Sequence, residues 1–139
     1  MAILADSGYW IALLDRKDRH HARAMEVSTL LTEQLVVTWP VLTEAAYYMG
    51  EDLGPRAVQR LLEIGERGAY RIHLTSEQDL PQLRALMQKY ADLPMDLADA
   101  SLLLLAEQSG DGRILSTDER DFGTYRFKQH KPFTNLLLE

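Results

Sequence analysis

The sequence contains no cysteine. That excludes a disulfide framework, thiol catalysis and thiolate metal sites, and it fits a reducing, cytoplasmic setting. No apolar run approaches the roughly 20 residues needed to cross a bilayer, and the first residues lack the basic and apolar regions of a signal peptide. A soluble cytoplasmic protein that does not engage the membrane is therefore the expectation. No Gly/Ser/Pro-rich linker, low-complexity segment or internal repeat divides the chain, so its 139 residues are expected to form one domain, 1–139. With 46% hydrophobic and 26% charged residues, disordered and collagen-like chains are excluded as well. A surplus of positive charge is also missing: 15 Lys+Arg stand against 21 Asp+Glu, for a net charge of −6. Taken alone this argues against nucleic acid, whose binders usually present a basic footprint. The objection weakens where several carboxylates share one cation site, because a divalent ion there cancels local charge and can itself meet a phosphate.

What is present is a regular alternation of strand and helix signals. Residues 1–5 form a short apolar run ending at Asp6-Ser7-Gly8, a buried strand followed by a turn. Residues 9–14 read as a short helix, and residues 20–31 as a more polar one with Ala22, Met25 and Leu30 turned inward. The β-branched run 35–38 is a second strand, with Thr38 or Trp39 capping a helix through Met49. Further helices are expected at 55–67, 76–90 and 96–108, the second of these opened by a Ser76–Asp79 capping-box spacing. Strands are expected at 70–74 and 113–116, a loop at 117–124, and an edge strand within 132–138. Such an alternation predicts an α/β fold with a mostly parallel central sheet and helices on both faces. Ligands of these sheets bind beyond the carboxyl ends of the strands.

The acids are distributed unusually. Asp6 is the only charged side chain in residues 1–14, and Glu44 is the only one in residues 35–50. From 91 to 106 the only charges are Asp92, Asp96 and Asp99, with no cation among them. Asp118 follows the strand at 113–116, the same strand-end location as Asp6. Each has an ordinary structural role open to it: Asp6 as a turn residue, Asp96 as an N-cap, Asp99 in the first helical turn, Asp118 in an Asx-turn. Together they describe two strand-end and two helix-start positions that converge on one rim of a parallel sheet. An uncompensated carboxylate near a core costs several kcal/mol, a cost of about the size that a shared metal ion removes. Oxygen-only ligands suit Mg2+ or Mn2+ rather than zinc. An acidic cluster without an evident nucleophile points to metal-assisted phosphodiester hydrolysis.

These segments resemble the PIN-domain family, and more narrowly the VapC-like ribonuclease toxins of bacterial and archaeal toxin–antitoxin modules. The resemblance runs from Ala2 to about Phe133. It is carried by Leu4-Ala5-Asp6-Ser7-Gly8, by Thr43-Glu44, and by Asp96-Leu97-Ala98-Asp99-Ala100 followed by Ser116-Thr117-Asp118 and Asp121-Phe122. It implies a three-layer α/β/α sandwich and an acidic tetrad of Asp6, Glu44, Asp99 and Asp118 holding Mg2+ or Mn2+. By the same resemblance Asp96 is a second acid at the helix start, and Ser7 and Thr117 are supporting hydroxyls. It further implies an RNA substrate, a cognate antitoxin protein and a homodimer. Two other readings compete: a PIN scaffold that binds RNA or protein without cutting, and a phosphoacceptor receiver domain, which would want adjacent acids after the first strand and a lysine absent from residues 71–88.

Elsewhere the sequence is less specific. Arg16, Lys17, Arg19, His20, His21 and Arg23 make the most basic stretch, suited to an RNA phosphate or to a solvated helix entrance. Core packing is the expected role for most of Tyr9, Trp10, Trp39, Tyr47 and Tyr48. The helices at 9–14 and 40–49 together are the expected antitoxin surface, reached by an antitoxin Arg that pairs with the acids.

Overall fold

The computed structural model describes residues 2–138. Met1, counted above in the first strand, lies outside the described residues. The elements are β1 (Ile3–Ala5), α1 (Ser7–Leu14), α2 (His21–Leu30), β2 (Leu35–Thr38), α3 (Trp39–Leu53), α4 (Pro55–Glu66) and β3 (Arg71–His73). A single 3-10 turn, Glu77–Asp79, leads into α5 (Leu80–Lys89), followed by α6 (Leu97–Ser109), β4 (Arg113–Leu115), α7 (Glu119–Thr124), β5 (Arg126–Phe127), β6 (Lys131–Pro132) and β7 (Thr134–Asn135).

The five-stranded sheet has the order β3-β2-β1-β4-β7 and is parallel throughout. Strand β1 lies in its centre, with Leu4 opposite both Val36 and Ile114. Central parallel strands are covered on both faces and read as continuous apolar runs, and Ile3, Leu4 and Ala5 are all buried. Helices flank the sheet in the expected α/β/α arrangement. Helix α6 is its most enclosed helix: every residue from Ala98 to Ala106 is buried. A helix apolar on all sides belongs inside a core, which is where Leu102, Leu103 and Leu104 place it. Its far end is closed by Gly110 in a left-handed conformation (φ 77°).

Several expectations are corrected. In α2, Ala24 and Val27 face the core, whereas Ala22, Met25 and Leu30 are exposed. The segment 117–124 is a loop only at its start; Asp118 caps α7 through the backbone N–H of Asp121, 3.0 Å away. The C-terminal edge strand is confined to β7, parallel to β4, and is preceded by a small antiparallel ribbon of β5 and β6 that the sequence reading did not include. Helix α3 runs to Leu53, past the expected end at Met49. The capping box at Ser76 and Asp79 is present, but it opens the 3-10 turn rather than α5 itself. No described helix is long and apolar enough to cross a membrane.

The ribbon is seated by a close backbone approach. A Cβ at Gly112, just before β4, would overlap the ring of Phe127, which itself is 4% exposed and packs on Phe133 at 5.3 Å. Gly112→Ala should therefore destabilise the fold by about 1–3 kcal/mol through overpacking. A lowered denaturant midpoint with an unchanged slope is the expected observation.

Candidate active site

The chain places its isolated acids at the carboxyl ends of the central strands. Asp6 immediately follows β1 and caps α1: its Oδ1 accepts from the backbone N–H of Ser7 (2.8 Å) and its Oδ2 from the Ser116 hydroxyl (3.0 Å). Its own backbone N–H donates to the Leu115 carbonyl (3.0 Å), tying the end of β1 to the end of β4. Glu44 is carried inward by α3, whose start is fixed by the Thr38 cap and by Pro40 in the first turn. The Ser7 hydroxyl donates to Glu44 Oε1 at 2.5 Å. Asp96 caps α6 by accepting from the backbone N–H of Asp99 (2.8 Å), and Asp99, one turn on, is buried. Thr38 and Ser101 share a 2.6 Å hydroxyl hydrogen bond that joins the end of β2 to the first half of α6.

Asp6, Glu44 and Asp99 stand close enough to Asp96 for its charge to disturb their ionisation. Burial pushes Asp6 up to about 6, with the charges of Asp118 and Asp96 adding to it and the Ser7 N–H and Ser116 hydroxyl opposing. Glu44 is raised to about 7, first by burial and then by Asp96 and Asp6, against the Ser7 hydrogen bond. Asp99 is raised to about 8 by burial and by the charges of Asp6, Asp96 and Glu44. Asp118 is raised in the same direction, chiefly by burial, and Asp121 adds to it. None of these five acids is in an ion pair among the described residues, whereas Asp121 has Arg120 at 3.2 Å.

Three partners of the cluster were not among the expected site residues. Ser116, fully buried, both donates to Asp6 and accepts from the backbone N–H of Asp118 (2.9 Å). Asn135 in β7 holds Ser116 in turn, its Nδ2 donating to the Ser116 carbonyl (2.9 Å). The buried hydroxyl of Tyr125 donates to Asp99 Oδ2 at 2.8 Å, across 26 residues of sequence. Thr117 packs against Gly8, where an added Cβ would overlap its Oγ1; the glycine after Asp6-Ser7 is what lets the β4–α7 connection close over the start of α1. Only the Ser116 serine signal was available in the sequence, one residue from Thr117. Tyr125 and Asn135 carry no local pattern.

The donor set is all oxygen, which fits Mg2+ or Mn2+. Among the described residues no three Asp, Glu or His side chains stand ready-made around an ion; the carboxylates are instead turned toward hydroxyls and backbone N–H groups. What favours a cation is the chemistry: buried Asp6 and Asp99 and half-buried Glu44 and Asp118 stand among like charges, and none of them is ion-paired among the described residues. His20 and His21 stay outside the cluster, with His21 Nδ1 on the Ala12 carbonyl (2.7 Å).

The raised values dictate a pH dependence for the metal-free protein. The folded chain holds protons on Asp6, Glu44 and Asp99 that the unfolded chain has released, so stability falls as pH rises from about 4 to about 8. Asp6→Asn removes the charge and keeps the cap through its amide oxygen, with its amide nitrogen facing the Ser116 hydroxyl as a donor. Metal-free Asp6→Asn should be more stable than the wild type at pH 8, by about 1–3 kcal/mol, and the gain should shrink toward pH 4. Urea midpoints across that range in EDTA measure both slopes.

Comparison with known proteins agrees with this architecture. A PIN domain model matches residues 3–128. The chain is 26% identical over 124 residues, 89% of its own length and 92% of the relative's, to Ribonuclease VapC26 of Mycobacterium tuberculosis (strain ATCC 25618 / H37Rv). Its fold is similar to the crystal structure of Mycobacterium tuberculosis VapC20, described as a Sarcin-Ricin loop cleaving toxin. The TM-score is 0.79 at 17% identity, over 86% of this chain and 92% of that one. The family match sets the receiver-domain reading aside. With its parallel sheet, and with the family model spanning nearly the whole length, the chain belongs to the PIN-domain family.

Proposed function

We propose that the chain is an endoribonuclease that depends on Mg2+ or Mn2+, acts as one PIN unit, and is the toxin of a toxin–antitoxin pair. The observation that carries the reading is a set of five acids whose charges act on one another, none of them in an ion pair among the described residues. A relative named Ribonuclease VapC26 supports the choice of RNA over other phosphodiesters. Asp6, Glu44, Asp99 and Asp118 are assigned to hold the ion, with Asp96 beside them and Ser7 and Thr117 in support. When bound, the ion supplies Lewis acidity, making water a stronger acid and offsetting charge on phosphoryl oxygens.

The residues divide the remaining work. Asp6 is held by two hydrogen bonds, so its carboxylate is oriented before any ligand arrives. Tyr125 fixes one oxygen of Asp99 and leaves the other free. Glu44, raised toward neutrality and held by Ser7, is suited to take the proton of the attacking water. Water is the nucleophile because the sequence has no cysteine and neither His20 nor His21 joins the cluster. In-line attack by water with the 3′-oxygen as leaving group breaks the P–O3′ bond, and protonation of that oxygen leaves a 5′-phosphate and a 3′-hydroxyl.

The surface proposed for an antitoxin is narrower than the two helices together. Tyr9, Trp10 and Ala12 of α1 are buried in the chain's own core, whereas Trp39, Tyr47 and Tyr48 of α3 are exposed. The exposed face of α3 is thus the part left for a protein partner or a second copy in a homodimer, and a partner's Arg would compete with the ion for the acids.

Asp6→Asn or Asp99→Asn should lower RNA cleavage by about 100-fold or more while the circular dichroism spectrum stays native. Cleavage should stop in EDTA, return with Mg2+ or Mn2+, and yield 5′-phosphate ends. A 2′,3′-cyclic phosphate, or cutting that survives EDTA, would overturn the mechanism; a folded wild type that binds RNA without cutting under either ion would leave the scaffold reading. Expression from the native operon should co-purify a small partner, and expression alone should arrest growth; if neither occurs, the toxin assignment fails.

A further inference from the structure

Trp39 opens α3 and is 52% exposed, and Leu97 opens α6 at 50%. Together with Pro40, Thr43 and Ala98 they line an apolar depression of about 460 Å3. The polar wall of that depression is formed by Glu44 and Asp96, two of the five clustered acids. The hollow and the acidic cluster are therefore one continuous surface.

The indole is presented on a fixed backbone. Thr38 caps the helix immediately before it, Pro40 restricts the residue after it, and its own carbonyl accepts from the Thr43 hydroxyl at 2.9 Å. The other tryptophan, Trp10, is 1% exposed and packed edge-on against Tyr9 and Tyr70. One indole has thus been consumed by the core and the other left open beside the acids.

The chemistry of the hollow selects among the parts of an RNA strand. A phosphate would be repelled by Glu44 and Asp96 wherever an ion does not intervene. A neutral base would not be, and its face matches an exposed indole edged by aliphatic carbon. A volume of this order accommodates a small planar ligand.

We infer that Trp39 and Leu97 form a shelf on which one unpaired nucleobase, next to the scissile phosphate, is stacked. This rests on the nuclease reading given above. The shelf makes Trp39 a positioning residue: it holds the strand so that the neighbouring phosphate meets the acids. It also restricts the substrate to single-stranded or splayed-out RNA, because a base inside a duplex has no free face.

The test uses the full chain and a single-stranded RNA oligonucleotide that the wild type cuts at one bond. Trp39→Ala should raise KM about 10-fold, with kcat within about threefold of wild type, the range expected for one base–aromatic stack. Trp39→Phe should recover most of the loss. An abasic nucleotide beside the scissile bond should weaken wild-type cleavage by a similar factor and leave Trp39→Ala without further loss. A second readout needs no cutting: single-stranded poly(A), added with Ca2+, should quench the exposed tryptophan emission of the wild type and not that of Trp39→Ala. Unchanged KM in Trp39→Ala, or additive effects of the variant and the abasic site, would overturn the shelf. So would a Trp39→Ala defect confined to binding of a co-purified protein. If the wild type cuts no RNA under Mg2+ or Mn2+ the nuclease reading falls by itself, and the poly(A) quenching still decides whether the shelf takes a base.

Discussion

Strand β1 is three residues long, yet it is paired in parallel on both sides, Leu4 standing opposite Val36 in β2 and Ile114 in β4. That double register fixes where the chain leaves the sheet, and with it the position of Asp6. A slip by one residue would move Asp6 by about 3.3 Å along the strand and turn its side chain to the other face. The same pairing brings Ser116, at the end of β4, into reach of Asp6. The Thr38–Ser101 hydrogen bond does likewise for the end of β2 and the helix bearing Asp99. The acidic centre is thus a product of strand register rather than of any local motif.

Around that centre, neutral donors stand where cations would ordinarily be. Ser7 serves Glu44, Ser116 serves Asp6, and Tyr125 serves Asp99. A hydroxyl satisfies a lone pair without cancelling charge, so the repulsion among the carboxylates is retained while their orientation is set. A cation in their place would cancel that repulsion.

The acids were legible because each lies isolated within an apolar stretch, and a charge with no neighbour of opposite sign stands out in one dimension. Asp6, Glu44 and Asp99 were readable for that reason, and so was the alternation of strands and helices that yields the parallel sheet. The hydroxyl and amide partners were not. Tyr125 meets Asp99 across 26 residues, and Asn135 meets Ser116 across 19; neither separation leaves a periodicity. The inward face of α2 was misjudged because the helix is weakly amphipathic, with Met25 and Leu30 on the solvent side. Helix α7 hides behind an ordinary Asx signal: Asp118 starts a turn, as expected, and the turn continues. Tyr9 and Trp10 could not be told from Trp39 by type, since only the packing against Tyr70 separates a core indole from an open one.

The sheet order has a consequence for how the molecule is made. The central strand is synthesised before β4, one of its two partners, which comes about a hundred residues later, and Asn135, which braces Ser116, comes later still. Contacts of such sequence separation close slowly, because the loop entropy must be overcome before they are rewarded. On the ribosome, Asp6 therefore emerges long before Ser116, Asp118 and Tyr125 exist to surround it. A nascent chain carries its acids apart, and the centre is assembled only once the segment from β4 to β7 has followed. Vectorial translation thereby imposes a delay between making β1 and assembling the acidic centre beside it.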